Sequence, residues 1–151
     1  IAELPKPKKS KINLKNSIEK VVKIFETEFK RNHISLEFSS HDYFVEADET
    51  MIERVLVNLL TNAQLALHKT ENKHINIQLV ETNHRILISI EDNGQGIDPQ
   101  IENKIFLPFF TTRQNGSGIG LTLSKSIMEA HNGYLVYRKL EQGSAFEMWF
   151  V

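Results

Sequence analysis

Asn58 and Asn62 stand four residues apart in a stretch of helical apolar spacing, so both amides project from one helix face. Asparagine is a poor residue for a helix interior, and two stacked beside a buried stripe need partners. They read either as an exposed polar pair or as amide oxygens facing a metal–phosphate complex. A neutral oxygen suits Mg2+ already carried by a triphosphate, where a carboxylate would add repulsion. Asp92 follows Ile86, Ile88 and Ile90 in the same alternation, so a persisting strand points its carboxylate inward with the isoleucines. Asp92-Asn93-Gly94-Gln95-Gly96 is either an ordinary turn or a carboxylate at a pocket edge. In the second case the carboxylate suits the exocyclic amine of adenine, and Gly94 and Gly96 let the backbone approach the base.

Gly116-Ser117-Gly118-Ile119-Gly120-Leu121 opens a helical pattern. Glycines before a helix start leave N–H groups and the positive dipole end free for an anion, although such loops have many uses. Just before it runs Phe106-Leu107-Pro108-Phe109-Phe110-Thr111-Thr112-Arg113. Three phenylalanines in a loop are expected to bury, either as the aromatic root of a lid or as a satellite cluster. The six histidines (33, 41, 68, 74, 84 and 131) show no metal-ligand spacing. Hydrolase-elbow, P-loop and protein-kinase signatures are also missing.

The elements that must hold these residues follow from periodicity. Ile18, Val21, Val22, Phe25 and Phe29 make one helical stripe. A second helix, capped by Asp48, carries Ile52, Val55, Leu56, Leu59, Leu60, Ala63 and Leu67, and a third runs from about Gly120 to His131. Strands are expected at Lys11–Leu14, Ile34–Phe38, Tyr43–Val45, Ile75–Leu79, Ile86–Ile90, Tyr134–Leu140 and Ala145–Val151, with a hairpin at Thr82-Asn83-His84. The fold expected is an α/β two-layer sandwich. Its sheet is mixed, largely antiparallel and about five-stranded, and three helices cover one face. Residues 1–9 read as a solvated linker and residues 10–151 as one domain. The irregular stretch from Asn93 to Gly118 is too long to be an idle connection.

At 151 residues, with 40% hydrophobic and 25% charged residues, the chain is long enough for a real core. A net charge of -1 gives no field for nucleic acid or an anionic membrane. With no cysteine, a disulfide scaffold, a thiol nucleophile and a thiolate metal site are excluded. No apolar run reaches a membrane span, so a cytoplasmic domain without direct membrane contact is expected, in a parent whose anchor would lie elsewhere.

In order, these pieces resemble the catalytic ATP-binding domain of bacterial sensor histidine kinases, in the superfamily shared with gyrase, MutL and the heat-shock chaperone ATPases. Arg54 to Ala63, with Asn58 and Asn62, is similar to the N box. Asp92-Asn93-Gly94-Gln95-Gly96-Ile97 is similar to the G1 box and Phe106 to Thr112 to the F box. Gly116 to Leu121 resembles the G2 box, and Gly143-Ser144-Ala145-Phe146 the terminal G-[ST]-x-F element. The resemblance spans about residues 10–151.

It implies a Bergerat-type fold with an ATP lid between Phe110 and Gly118, and ATP and Mg2+ as cofactors. Asp92 would recognise adenine with Ser144 in support, within a nucleotide pocket that also takes in Gly94, Gly96, Ile97, Phe106 and Phe109. Asn62 would ligate Mg2+ with Asn58 beside it. The segment Gly116, Gly118, Ile119, Gly120 and Leu121 would hold phosphate oxygens, and Arg113 would reach them. Relatives that hydrolyse ATP carry a glutamate at the position of Asn58, as base for water. An amide cannot take that proton, which favours transfer to an acceptor on another domain. The implied partner is the dimerisation and histidine-phosphoacceptor domain of a parent kinase, with a response regulator downstream in two-component signal transduction. None of the six histidines lies in the family's acceptor box, and Leu4-Pro5-Lys6 resembles the hinge after the acceptor hairpin. The alternatives are a serine/threonine switch kinase of the same superfamily, of the anti-sigma type, and an ATP-dependent conformational module.

Overall fold

The computed structural model describes residues 4–110 and 120–151. The elements, in order, are β1 (Ser10–Asn13), α1 (Leu14–Arg31), β2 (Ser35–Phe38), β3 (Phe44–Ala47), α2 (Glu49–Ala66), β4 (His74–Thr82) and β5 (Arg85–Asp92). A 3-10 turn at Glu102–Lys104 is followed by α3 (Gly120–Ala130), β6 (Tyr134–Lys139) and β7 (Ser144–Phe150). The main sheet has the order β2-β4-β5-β7-β6, with β2–β4 parallel and the other pairs antiparallel. β1 and β3 form a separate antiparallel pair. The expected sandwich is therefore observed: five strands in the main sheet, mixed and mostly antiparallel, with the three helices on one face.

Strand register explains which face is covered. Leu79, Ile88, Met148 and Leu135 align in one row, and Ile77, Ile90, Phe146 and Tyr137 in the next. A third row continues through Ile75, Asp92 and Ser144. The aliphatic members are buried and join Ile52, Val55, Leu56, Leu59 and Leu60 of α2 in one core. Each fully buried Leu or Ile of this kind contributes about 1.5–3 kcal/mol. On the opposite face Arg138 bridges Glu91 at 3.1 Å and Glu147 at 2.8 Å. The β4–β5 hairpin turns on Asn83 and His84, both at positive φ, as a tight two-residue connection requires.

α2 and α3 run antiparallel and are joined end to end. The Asp48 side chain caps α2 by accepting from the Met51 N–H at 3.2 Å. The Asp48 N–H donates to Nε2 of buried His131 at 3.0 Å, and Nδ1 of that ring faces the Ile127 carbonyl at 2.8 Å. These contacts define a neutral ring with its proton on Nδ1. The segment before β1 is mostly exposed but tethered at two points. Leu4 packs against the core, and the Lys8 N–H donates to the Asp48 carboxylate at 2.9 Å. That bond, first among several, holds the Asp48 carboxyl below the usual carboxylate range.

Replacing Asp48 by Ala removes the cap and the anchor of the leading segment together. Urea denaturation should show a loss of about 1–2 kcal/mol, in line with other N-cap deletions. An unchanged midpoint would mean that α2 does not depend on this cap.

Candidate functional site

Asp92 ends β5 and, as its alternation predicts, faces inward, with only 5% of its surface exposed. Its Oδ1 accepts from the Gly94 N–H at 2.9 Å, and the Ser144 N–H also favours the charged form. Burial outweighs both donors and pushes the carboxyl up to about 6. Among the described residues the carboxylate thus meets backbone donors from the turn and from β7 but no counter-charge.

The backbone around it tolerates nothing larger than glycine at two points. A Cβ on Gly94 would collide with the Ala66 carbonyl at the end of α2 and approach the Asp92 carboxylate. Gly143, at φ +96°, lies so close to the Asp92 carbonyl that a Cβ there would overlap it. Asn93 between them is a clip. Its side chain accepts from the His74 N–H at 2.8 Å and donates to the Asn72 carbonyl at 2.9 Å. The turn is therefore fixed to the start of β4, to the end of α2 and to the β6–β7 connection. Residues 92–96 therefore form a fixed turn that carries the buried carboxylate.

At the other end of the site Asn58 and Asn62 are half-buried on α2, rather than an exposed pair. The Asn58 amide donates to Ser124 Oγ at 3.1 Å, and its oxygen lies against Gly120, where a Cβ would strike it. Asn58 is thus a strut between α2 and the first turn of α3, and Asn62 lies one helical turn further on. Leu121 is partly buried and packs against the core, as does Ile97 after the Asp92 turn. Arg113, Gly116, Gly118 and Ile119 lie outside the described residues, as does the lid expected there.

The aromatic stretch differs from expectation. Phe106 is half-buried and meets Phe146 edge-on at 6.4 Å, with Lys125 over its ring at 5.4 Å. The Thr122 hydroxyl donates to the Phe106 carbonyl at 2.9 Å, tying this segment to α3. Phe109, however, is 66% exposed at φ +63°, and Phe110 is only half-buried. Ile105 takes the core position instead. Beside the turn, Gly96, Ile97, Tyr137 and Gly143 line a groove of about 660 Å³. Tyr137 and Ser124 are not among the residues that the sequence singles out, and Asn93 enters there only as part of the 92–96 motif, without a role of its own. Alternation from Leu135 along β6 was the available signal for Tyr137; Ser124 and Asn93 act through contacts that spacing does not reveal.

Because the folded Asp92 carboxyl holds its proton more tightly than an unfolded one, the folded state is favoured at low pH. Stability from this group is full below about pH 4 and declines as pH rises through about 6, by about 3 kcal/mol at most. Asp92→Asn should therefore flatten the stability profile between these limits. Above pH 7 it should be more stable than the parent chain by on the order of 1–3 kcal/mol in urea titrations. A variant that is less stable at every pH would show that the carboxylate is structural.

Residues 47–151 match the family described as histidine kinase-, DNA gyrase B- and HSP90-like ATPases. Sporulation kinase A of Bacillus subtilis (strain 168) is 30% identical over 145 residues, which are 94% of this chain and 24% of that protein's length. The catalytic domain of histidine kinase ThkA superposes with a TM-score of 0.85 at 32% identity, covering 95% of each chain. ThkA in complex with response regulator protein TrrA superposes at 0.79 and 30% identity, covering 95% of this chain and 42% of that one. Asp92, Gly94, Asn58, Asn62, Gly120 and Ser144 all fall within the matched span. On the sequence match and the superposition together, the chain belongs to the family of histidine kinase-, gyrase B- and HSP90-like ATPase domains and has the fold of a histidine kinase catalytic domain.

Proposed function

We propose that this chain binds Mg·ATP and positions the γ-phosphoryl group for transfer to a histidine on a separate helical-hairpin domain, as the catalytic part of a sensor histidine kinase. The carrying observation is Asn58. Where a hydrolysing relative would need a general base, this site has an amide bound to Ser124 and packed on Gly120. An amide so held cannot accept a proton from water. The arrangement supports holding ATP without consuming it.

The donor chemistry fits the cofactors. Asp92 supplies a buried acceptor for the 6-amino group of adenine, and the Gly94 cradle keeps side chains away from the base. Among the described residues no group of three or more His, Cys, Asp or Glu is placed to hold a metal by itself. A single amide oxygen, from Asn62, suits Mg2+ that arrives on the triphosphate and keeps its other oxygen ligands there. Bound in that way the ion would neutralise phosphate charge. Asn62 would orient the triphosphate, and the first turn of α3, with Gly120 and Leu121, would present N–H groups to it. Arg113 would add a positive charge. The acceptor is assigned to another domain because none of the six histidines of this chain lies in an acceptor box. Partnership with a response regulator is supported by the ThkA complex. A cytoplasmic site of action follows from the use of ATP; among the described residues no helix is long and apolar enough to cross a membrane.

Given labelled ATP, the isolated chain should bind it, turn it over slowly and keep no label. Mixed with the hairpin domain of its own parent, it should move the γ-phosphate to a histidine there. Rapid hydrolysis by the chain alone, or acid-stable label on serine or threonine, would contradict this. Asn62→Ala should weaken Mg·ATP binding about tenfold or more while sparing metal-free ADP. Equal losses for both ligands would make Asn62 a helix-structural residue.

A further inference from the structure

Two buried side-chain oxygens that act on each other have no hydrogen-bond partner among the described residues: the Tyr137 hydroxyl and Oε1 of Glu102. Such atoms are uncommon in folded chains and point to a ligand, a water or a motion that completes them. Tyr137 occupies the inward row of β6, next to the row that holds Asp92 and Ser144. Its ring packs on Phe146 at 5.6 Å, and Phe146 in turn meets Phe106. Glu102 comes from the 3-10 turn that precedes Phe106. The side chain of Tyr137 lines the groove together with Gly96 and Ile97, with its hydroxyl oxygen buried behind the ring.

Charge reinforces this geometry. Burial, with the charges of Glu102 and Asp92, raises the Tyr137 hydroxyl above the ordinary tyrosine value. Ser144 and the Ile97 N–H oppose that shift from nearby without completing a hydrogen bond. Tyr137 is therefore a neutral phenol at pH 7, with one proton to give and lone pairs to offer. Glu102 is acceptor-only when ionised.

A 6-aminopurine brings two N–H donors on one nitrogen, and Asp92 satisfies one of them. We propose that Tyr137 and Glu102 form a second recognition arm for the base: the Tyr137 oxygen accepts the other amino N–H while its own O–H donates to Glu102. The proposal rests on the reading of Asp92 as the adenine anchor. It accounts for both orphan oxygens with one ligand and a small approach of the 3-10 turn. It also sets specificity. With the phenolic proton committed to Glu102, the site presents only acceptors to the 6-position, so a 6-oxo purine meets lone pairs on both sides.

The test is titration calorimetry of the full chain with the Mg2+ complexes of ATP, inosine triphosphate and purine riboside triphosphate, which has hydrogen at position 6. Tyr137→Phe should weaken ATP about tenfold and leave the 6-hydrogen nucleotide unchanged. Glu102→Ala frees the phenolic proton and should narrow the ATP-to-inosine-triphosphate ratio severalfold. Equal effects of Tyr137→Phe on ATP and the 6-hydrogen nucleotide would overturn the proposal, as would unchanged ATP affinity. If Tyr137→Phe does not fold by circular dichroism, an unchanged ratio in Glu102→Ala overturns it instead. Asp92→Ala, which removes the acceptor that an asparagine would keep, separates the two levels. Retained ATP affinity there would defeat the site reading itself, whereas loss there with no effect at Tyr137 or Glu102 defeats only the second arm.

Discussion

A carboxylate at the end of an isoleucine row is held against its own solvation. Asp92 continues the inward alternation of β5, and the strands on both sides of it bring Ile75 and Ser144 rather than a cation. Among the described residues only backbone N–H groups compensate, and burial still raises its proton affinity. Much of the nearby backbone exists to supply those donors. Gly94 must sit tightly between the end of α2 and the carboxylate, and Gly143 must cross the strand end without a side chain. Asn93 locks the turn that aims the Gly94 N–H. The group is stabilised less than water would stabilise it, and a ligand amine would complete it.

The proposed phosphate end depends on a different constraint, the mutual position of α2 and α3. These helices are joined at one end by His131 and Asp48 and at the other by Asn58 and Ser124. Both links are single polar contacts set in apolar surroundings, where a lost partner leaves a desolvated group behind. The first turn of α3 is thereby held beside Asn58. Thr122 and Lys125 extend the same helix to Phe106, so the α3 start and the aromatic segment share one support.

What the sequence revealed and what it hid divide along local and non-local lines. The inward direction of Asp92 was legible because a strand has period 2 and three isoleucines mark the parity. The α2 stripe, its Asp48 cap and the Asn83-His84 turn were legible for equally local reasons. The separate β1–β3 pair and the parallel placing of β2 were not, since each joins segments far apart in the chain. The phenylalanines misled. Burial was assigned by residue type, but the chain after the 3-10 turn gives Ile105 the core position and places Phe109 in a left-handed conformation facing solvent. Asn58 was read for its amide and its spacing, while its hold on Ser124 needed the fold.

The central claim is that Asp92 is a buried, under-compensated carboxylate waiting for a base amine. Carbon-13 NMR of the Asp92 side-chain carboxyl, titrated with and without ATP, tests it directly. Free of nucleotide the group should titrate near 6. With ATP bound it should fall well below that value, because a donated N–H favours the charged form. An ordinary aspartate titration near 4 that nucleotide leaves unmoved would contradict the account.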